Sequence, residues 1–128
     1  MVIDSSVLAA ILLKEPERSC FVGLITEPGV CLLSAANALE AAMVVESRLG
    51  PVGSHELDIL LHKAAVEIVA FDAEQFSVAR QAWRKYGKGR HPAALNYGDC
   101  FAYALAKISN EPLLAKGLHF QKTDLQLL

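Results

Sequence analysis

Leu95-Asn96-Tyr97-Gly98-Asp99-Cys100-Phe101-Ala102-Tyr103-Ala104-Leu105-Ala106-Lys107 reads as a buried helix whose only carboxylate, Asp99, stands in the first turn. Asp99 is also the only charged side chain between Arg90 and Lys107. Taken alone it is a first-turn or N-cap aspartate, which satisfies orphan N–H groups and is favoured by the helix dipole. It is not alone. Asp4 is the sole charge in residues 1–13, and Glu40 is the sole charge in residues 28–45. Burying an isolated ionised carboxylate costs on the order of several kcal/mol unless a cation shares its site. Three such acids in apolar elements point to a metal ion that gathers them.

The elements on either side define the frame. Upstream of the helix lies the one basic, glycine-containing loop, residues 84–92, which leads straight into Asp99. A solvated surface is the simpler reading of a charge run, but Lys88, Arg90 and His91 would there sit at the rim of an acidic pocket, where they could hold the phosphate oxygens of a nucleic acid. Downstream, residues 112–115 form a short strand, Gly117 turns the chain, and residues 123–128 close as a last edge strand or dock on the core.

At the start of the chain, Val2 and Ile3 form a strand running into Asp4-Ser5-Ser6, and Val7, Leu8, Ile11 and Leu12 follow at helical spacing. At the carboxyl end of a parallel strand Asp4 faces the crevice where ligands bind. It also caps the next helix, and Ser5 and Ser6 offer hydroxyls that orient the carboxylate or cap. Cys20, Phe21, Leu24 and Ile25 mark a second amphipathic helix, residues 30–33 a strand, and Ser34 the N-cap of a helix reaching about residues 49–50. On that helix Ala36, Glu40, Met43, Val44 and Ser47 share one face, apolar apart from Glu40. Residues 53–65 form a surface helix with ordinary exposed histidines at 55 and 62; residues 66–71 form a strand; Asp72 and Gln75 match the capping box of a helix running to about Tyr86. This alternation indicates an α/β fold, a central mostly parallel sheet of about four or five short strands flanked by helices, with residues 1–128 as a single domain.

Composition narrows the function classes. No uncharged apolar run reaches the ~18 residues of a membrane span, and the acid at position 4 argues against a signal peptide. The expected location is the cytoplasm. Cys20, Cys31 and Cys100 are odd in number and lack any C-x-x-C pattern, so they read as small buried residues rather than disulfides or a zinc knuckle. A net charge of −2 excludes a globally basic nucleic-acid binder but not a local patch. Hydrophobic content of 53%, with a mean hydropathy of +0.32, implies apolar surface that meets another protein.

Three carboxylates from different elements at one strand-end crevice make an oxygen site for a hard divalent cation, Mg2+ or Mn2+. Such an ion acidifies a water and neutralises phosphodiester oxygens, which is the chemistry of in-line hydrolysis. Neither a G-x-S-x-G, a Walker loop nor a GxGxxG is present, so acyl transfer, nucleotide triphosphate use and dinucleotide binding lack support.

Four blocks now carry a resemblance: Val-Ile-Asp-Ser-Ser at 2–6, Ser-Ala-Ala-Asn-Ala-Leu-Glu-Ala-Ala at 34–42, Gly-Lys-Gly-Arg-His-Pro-Ala at 87–93, and the helix at 95–107. In this order and spacing they resemble a PIN-domain ribonuclease of the VapC toxin type, over nearly the whole chain. The resemblance implies a PIN-like fold, Mg2+- or Mn2+-dependent cleavage of RNA such as a tRNA or another structured RNA, a VapB-like antitoxin and a homodimer. It matches Asp4, Glu40 and Asp99 to three metal-site acids, and implies an antitoxin helix laid between the early helices. One departure stands out. Similar proteins follow the last Lys-Gly with one or two aspartates before Phe, whereas this chain reads Lys116-Gly117-Leu118-His119-Phe120. The usual fourth acid is missing. Asp124 could supply a carboxylate and His119 could contact a metal or phosphate, although an ordinary role is the simpler reading of each. A weakened PIN-fold protein acting mainly as an antitoxin-binding partner is the alternative this departure raises. A dehalogenase-like phosphatase would need an aspartate at Ser6, and a receiver domain an acidic pair near Asp4.

Overall fold

Val2, Leu32 and Leu113 turn to one face of the sheet, and Ile3, Leu33 and Leu114 turn to the other. This period-two alternation belongs to strands covered on both sides. In the computed structural model, which describes residues 1–128, the strands are β1 (Val2–Ile3), β2 (Leu32–Ser34), β3 (Glu67–Val69) and β4 (Leu113–Leu114). They are all parallel, in the order β3-β2-β1-β4. Parallel neighbours need crossovers. These contain α1 (Ser5–Leu12), α2 (Arg18–Thr26), α3 (Ala35–Lys63), α4 (Ala73–Tyr86) and α5 (Tyr97–Ser109). Ala82 and Tyr86 of α4 and Ala102 and Leu105 of α5 build the core on one face; Val7 and Ile11 of α1, Phe21 and Ile25 of α2 and Ala41 and Leu57 of α3 build the other. The PIN-like three-layer arrangement expected above is the one observed.

Local chemistry explains the departures. The two helices expected within residues 35–65 form one run that breaks at Gly50, whose φ of 66° only glycine adopts without strain, with Pro51 opening the second half. β3 is shorter than the apolar run at 66–71 because it is an edge strand, and Ile68 is left exposed. The tail covers the opposite edge by a parallel bridge of Leu127 to Leu113. Asp72 caps α4 through the Gln75 N–H at 2.9 Å, but the Gln75 amide donates to the Ala70 carbonyl, so the expected box is only half made. Cys31 and Cys100 are buried as expected; Cys20 is exposed. α2 turns Phe21 inward, and the adjacent residue lies about 100° around the helix.

Candidate active site

Asp4, Glu40 and Asp99 arrive from three elements at the carboxyl end of the sheet. Asp4 follows β1, and its N–H donates to the Leu114 carbonyl at 3.0 Å, which fixes the backbone against β4. Its Oδ2 accepts from the Ser6 N–H at 3.0 Å, so it caps α1. Its Oδ1 is buried without a partner, in a residue only 5% exposed. Burial is the main force pushing this carboxyl up to about 6; the Ser6 hydrogen bonds pull it down, and the charges of Asp99 and Glu40 raise it further. Asp4 therefore feels the charge of both other acids.

Glu40 is half-buried on α3, and two side chains hold it. Ser5 Oγ donates to Glu40 Oε1, and Asn37 Nδ2 donates to the same oxygen at 3.3 Å. Asn37 is wholly buried and also donates to the Gly98 carbonyl at 3.0 Å, tying α3 to the first turn of α5. A Cβ on Gly98 would lie 2.3 Å from Glu40 Oε2. The missing side chain makes the space in which the Glu40 carboxylate rests against a positive helix end. The face that reads as apolar around Glu40 is not core, since Met43 and Val44 stay exposed while Asn37, Ala41 and Val45 turn inward.

Asp99 is 8% exposed and does cap its helix. Its Oδ2 accepts from the Asn96 N–H at 3.0 Å while Asn96 Oδ1 accepts from the Asp99 N–H at 2.9 Å, a complete capping box. His119 Nδ1 lies 2.8 Å from the same Oδ2. Asp99 Oδ1 accepts no hydrogen bond from the protein.

The acids converge without closing into a cage: no three His, Cys, Asp or Glu side chains are drawn together tightly enough to form one. The donors nonetheless suit a hard divalent cation, because the three acids offer oxygen ligands only and a carboxylate oxygen of Asp4 is buried with nothing bonded to it. Ser34 Oγ and Asn37 Oδ1 are likewise buried without partners.

Asp124 and the basic loop make no hydrogen bond or ion pair with the three acids. Asp124 accepts from Tyr103 Oη at 2.6 Å and from Lys107 Nζ at 2.9 Å, and no bond links it to the three acids. The basic loop is fastened to α4: Arg90 stacks 4.2 Å over the Trp83 ring and His91 meets Tyr86 edge-on at 5.1 Å. Lys88 is exposed, and none of Lys88, Arg90 and His91 pairs with an acid. Asn37 and Gly98 escaped sequence reasoning. Asn37, at the i−3 position to Glu40, carried the one available signal. Tyr97, 83% exposed, joins Leu39 and Met43 in an apolar groove of ≈ 360 Å³ beside Glu40.

A family model described as PIN domain matches residues 1–125. The chain is 55% identical over 124 residues to a ribonuclease VapC of Mycolicibacterium smegmatis, covering 97% of this chain and 96% of that protein. It is 54% identical over 125 residues to ribonuclease VapC30 of Mycobacterium tuberculosis, covering 98% and 95%. Among solved structures, VapC20 of Mycobacterium tuberculosis, described as a sarcin-ricin loop cleaving toxin, shares the fold with a TM-score of 0.77 at 17% identity over 99% of this chain and 97% of that one. VapBC2 of Rickettsia felis, solved on a promoter DNA fragment, gives a TM-score of 0.75 at 17% identity over 99% and 95%.

Proposed function

The chain belongs to the PIN-domain family and is a ribonuclease toxin of the VapC type, and from this premise we propose that Asp4, Glu40 and Asp99 hold a divalent cation, Mg2+ or Mn2+, at the point where RNA phosphodiesters are hydrolysed. The observation that carries the reading is Asp4, a buried carboxylate with an unpartnered oxygen beside two further acids. When bound, the cation supplies neutralisation of the phosphate charge and a more acidic water. The protein's own part is preorganisation. Ser5 and Asn37 hold Glu40, the Asn96 N–H holds Asp99, and the Ser6 N–H holds Asp4, so the ligand oxygens are aimed before substrate arrives. Asp124, engaged by Tyr103 and Lys107, is left out of the ligand set. Lys88, Arg90 and His91 supply contacts to the RNA backbone, and an RNA substrate places the enzyme in the cytoplasm. Residues 1–128 act as one unit.

Two surfaces support a reading of the partners. Between α1, α2 and the second half of α3 runs a groove floored by Ile11, Leu12 and Ile59, with three cations, Lys14, Arg18 and Lys63, and one acid, Glu56, at its sides. An amphipathic antitoxin helix with an acidic edge suits it. The exposed apolar set of Leu39, Met43 and Tyr97 is the surface we assign to a second copy of the chain.

The test of the site is cleavage of a labelled mixed RNA pool by antitoxin-free protein with Mg2+, Mn2+ or EDTA, beside Asp99→Asn. Cutting should require a metal and fall by about a hundredfold or more in the variant. Cleavage that survives EDTA, or a fully active variant, overturns the assignment.

A further inference from the structure

We infer that His119 is a fourth ligand of the same cation, and that its nitrogen biases the site toward Mn2+ over Mg2+; this rests on the metal site proposed above. His119 is the imidazole that reaches Asp99, with Nδ1 2.8 Å from its Oδ2. Its position is built rather than incidental. Gly117, at a φ of +95°, turns the chain; Leu118 is left 68% exposed; and a 3-10 turn, His119–Lys122, is pinned to the core by Phe120, 4% exposed. Of the two residues between Gly117 and Phe120, the one turned toward the site is the one with a metal-binding side chain.

The 2.8 Å from Nδ1 to Oδ2 is a hydrogen-bond distance. It stands the ring beside the carboxylate whose Oδ1 accepts nothing from the protein; an ion on Oδ1 would exchange that hydrogen bond for a bond from the imidazole nitrogen. Two lysines near this end of the chain are committed elsewhere: Lys116 pairs with Glu15 and Glu17, and Lys107 with Asp124. A ligand set of three carboxylates and one imidazole carries less negative charge than four carboxylates. Mg2+ strongly prefers oxygen, whereas Mn2+ tolerates nitrogen, so the exchange moves preference toward Mn2+. A merely structural role is the rival reading, in which His119 only hydrogen-bonds Asp99 and competes with the ion for its oxygen.

The experiment is Mn2+ binding followed by electron paramagnetic resonance, with Mg2+ competition, on the full chain and on His119→Asp, His119→Ala and Asp4→Asn. Pulsed measurements on the wild type should show 14N coupling from a directly bound imidazole, lost in both His119 variants. His119→Asp should retain the ion while its Mn2+-over-Mg2+ preference narrows by about tenfold. Mn2+ bound without nitrogen coupling but lost in Asp4→Asn would overturn this inference and leave the acid site standing. Tighter Mn2+ binding in His119→Ala would also overturn it, in favour of the competing role. Failure of the wild type to bind Mn2+ at all would overturn both readings.

Discussion

Asp4→Asn is expected to stabilise the metal-free protein above neutral pH while removing its cation site. The Asp4 carboxyl is raised from 3.8 to about 6 in the folded protein, chiefly by burial. Between those values the native state holds a proton that the unfolded chain has lost, so stability falls as pH rises through the window and stays low above it. This is opposite to the usual salt-bridged aspartate. A shift of about two units corresponds to about 3 kcal/mol, roughly half of it falling between pH 5 and pH 8. Asparagine cannot ionise and escapes the loss. Its carbonyl can still accept from the Ser6 N–H, but its amide then occupies the buried position where Asp4 Oδ1 has no partner, at a cost of about 1–2 kcal/mol. The variant should therefore match or trail the wild type near pH 4.5 and exceed it by about 1–2 kcal/mol at pH 8. Urea unfolding of both proteins in EDTA across this range reads the difference, since titrating groups that are not coupled to Asp4 cancel. Repeating it with Mn2+ at about a hundredfold over its dissociation constant should add about 2.7 kcal/mol to the wild type and nothing to the variant. A difference between the two proteins that stays flat with pH would show that Asp4 does not titrate as a buried acid, and equal stabilisation by Mn2+ that it does not hold the ion.

Gly98→Ala gains up to about 1 kcal/mol of helix propensity, but its Cβ would lie 2.3 Å from Glu40 Oε2. Because a flexible carboxylate can swing away, stability should change by less than about 1 kcal/mol while RNA cleavage falls about tenfold; unchanged kcat/KM would count against Glu40 as a ligand. Asn37→Ala leaves the buried Gly98 carbonyl without its donor and should cost about 1–3 kcal/mol, read by thermal unfolding. Ile59→Asp puts a charge in the floor of the basic-edged groove. It should weaken antitoxin binding at least tenfold, or by about 1.4 kcal/mol, with cleavage by the free toxin unaffected; retained affinity in a calorimetric titration would move the antitoxin elsewhere.

The parts of the fold that could be read in advance were those where one local property dominates. An isolated charge in an apolar element signalled Asp4, Glu40 and Asp99 because burying a lone acid is costly wherever it occurs. The parallel sheet followed from short apolar runs alternating with helical periods. What the sequence concealed depends on contacts without a local pattern. Asn37 reaches Gly98 across 61 positions of chain, and no window of residues contains both. The face of α3 bearing Glu40 was legible as a face but not in its direction: with apolar residues all around the helix, periodicity could not tell that Met43 stays outside while Ala41 and Val45 go in.

Asp4 and Asp99 also show why a capping role and a metal-site role do not compete. Each uses one carboxylate oxygen to anchor itself at a helix N-terminus: Asp4 Oδ2 on the Ser6 N–H, Asp99 Oδ2 on the Asn96 N–H. Each leaves the other oxygen without a hydrogen bond from the protein. The cap removes the rotational freedom a ligand would otherwise lose on binding the ion, so the structural bond serves the chemistry. This division of labour decides which substitution is informative. Asparagine keeps a carbonyl for the cap and loses the free anionic oxygen. Alanine loses both, and should add about 1 kcal/mol of helix destabilisation to whatever it does to catalysis. In an unfolding experiment Asp99→Ala should therefore trail Asp99→Asn by about that amount while the two are equally inactive; equal stability of the two variants would mean that the cap is not what holds Asp99 in place.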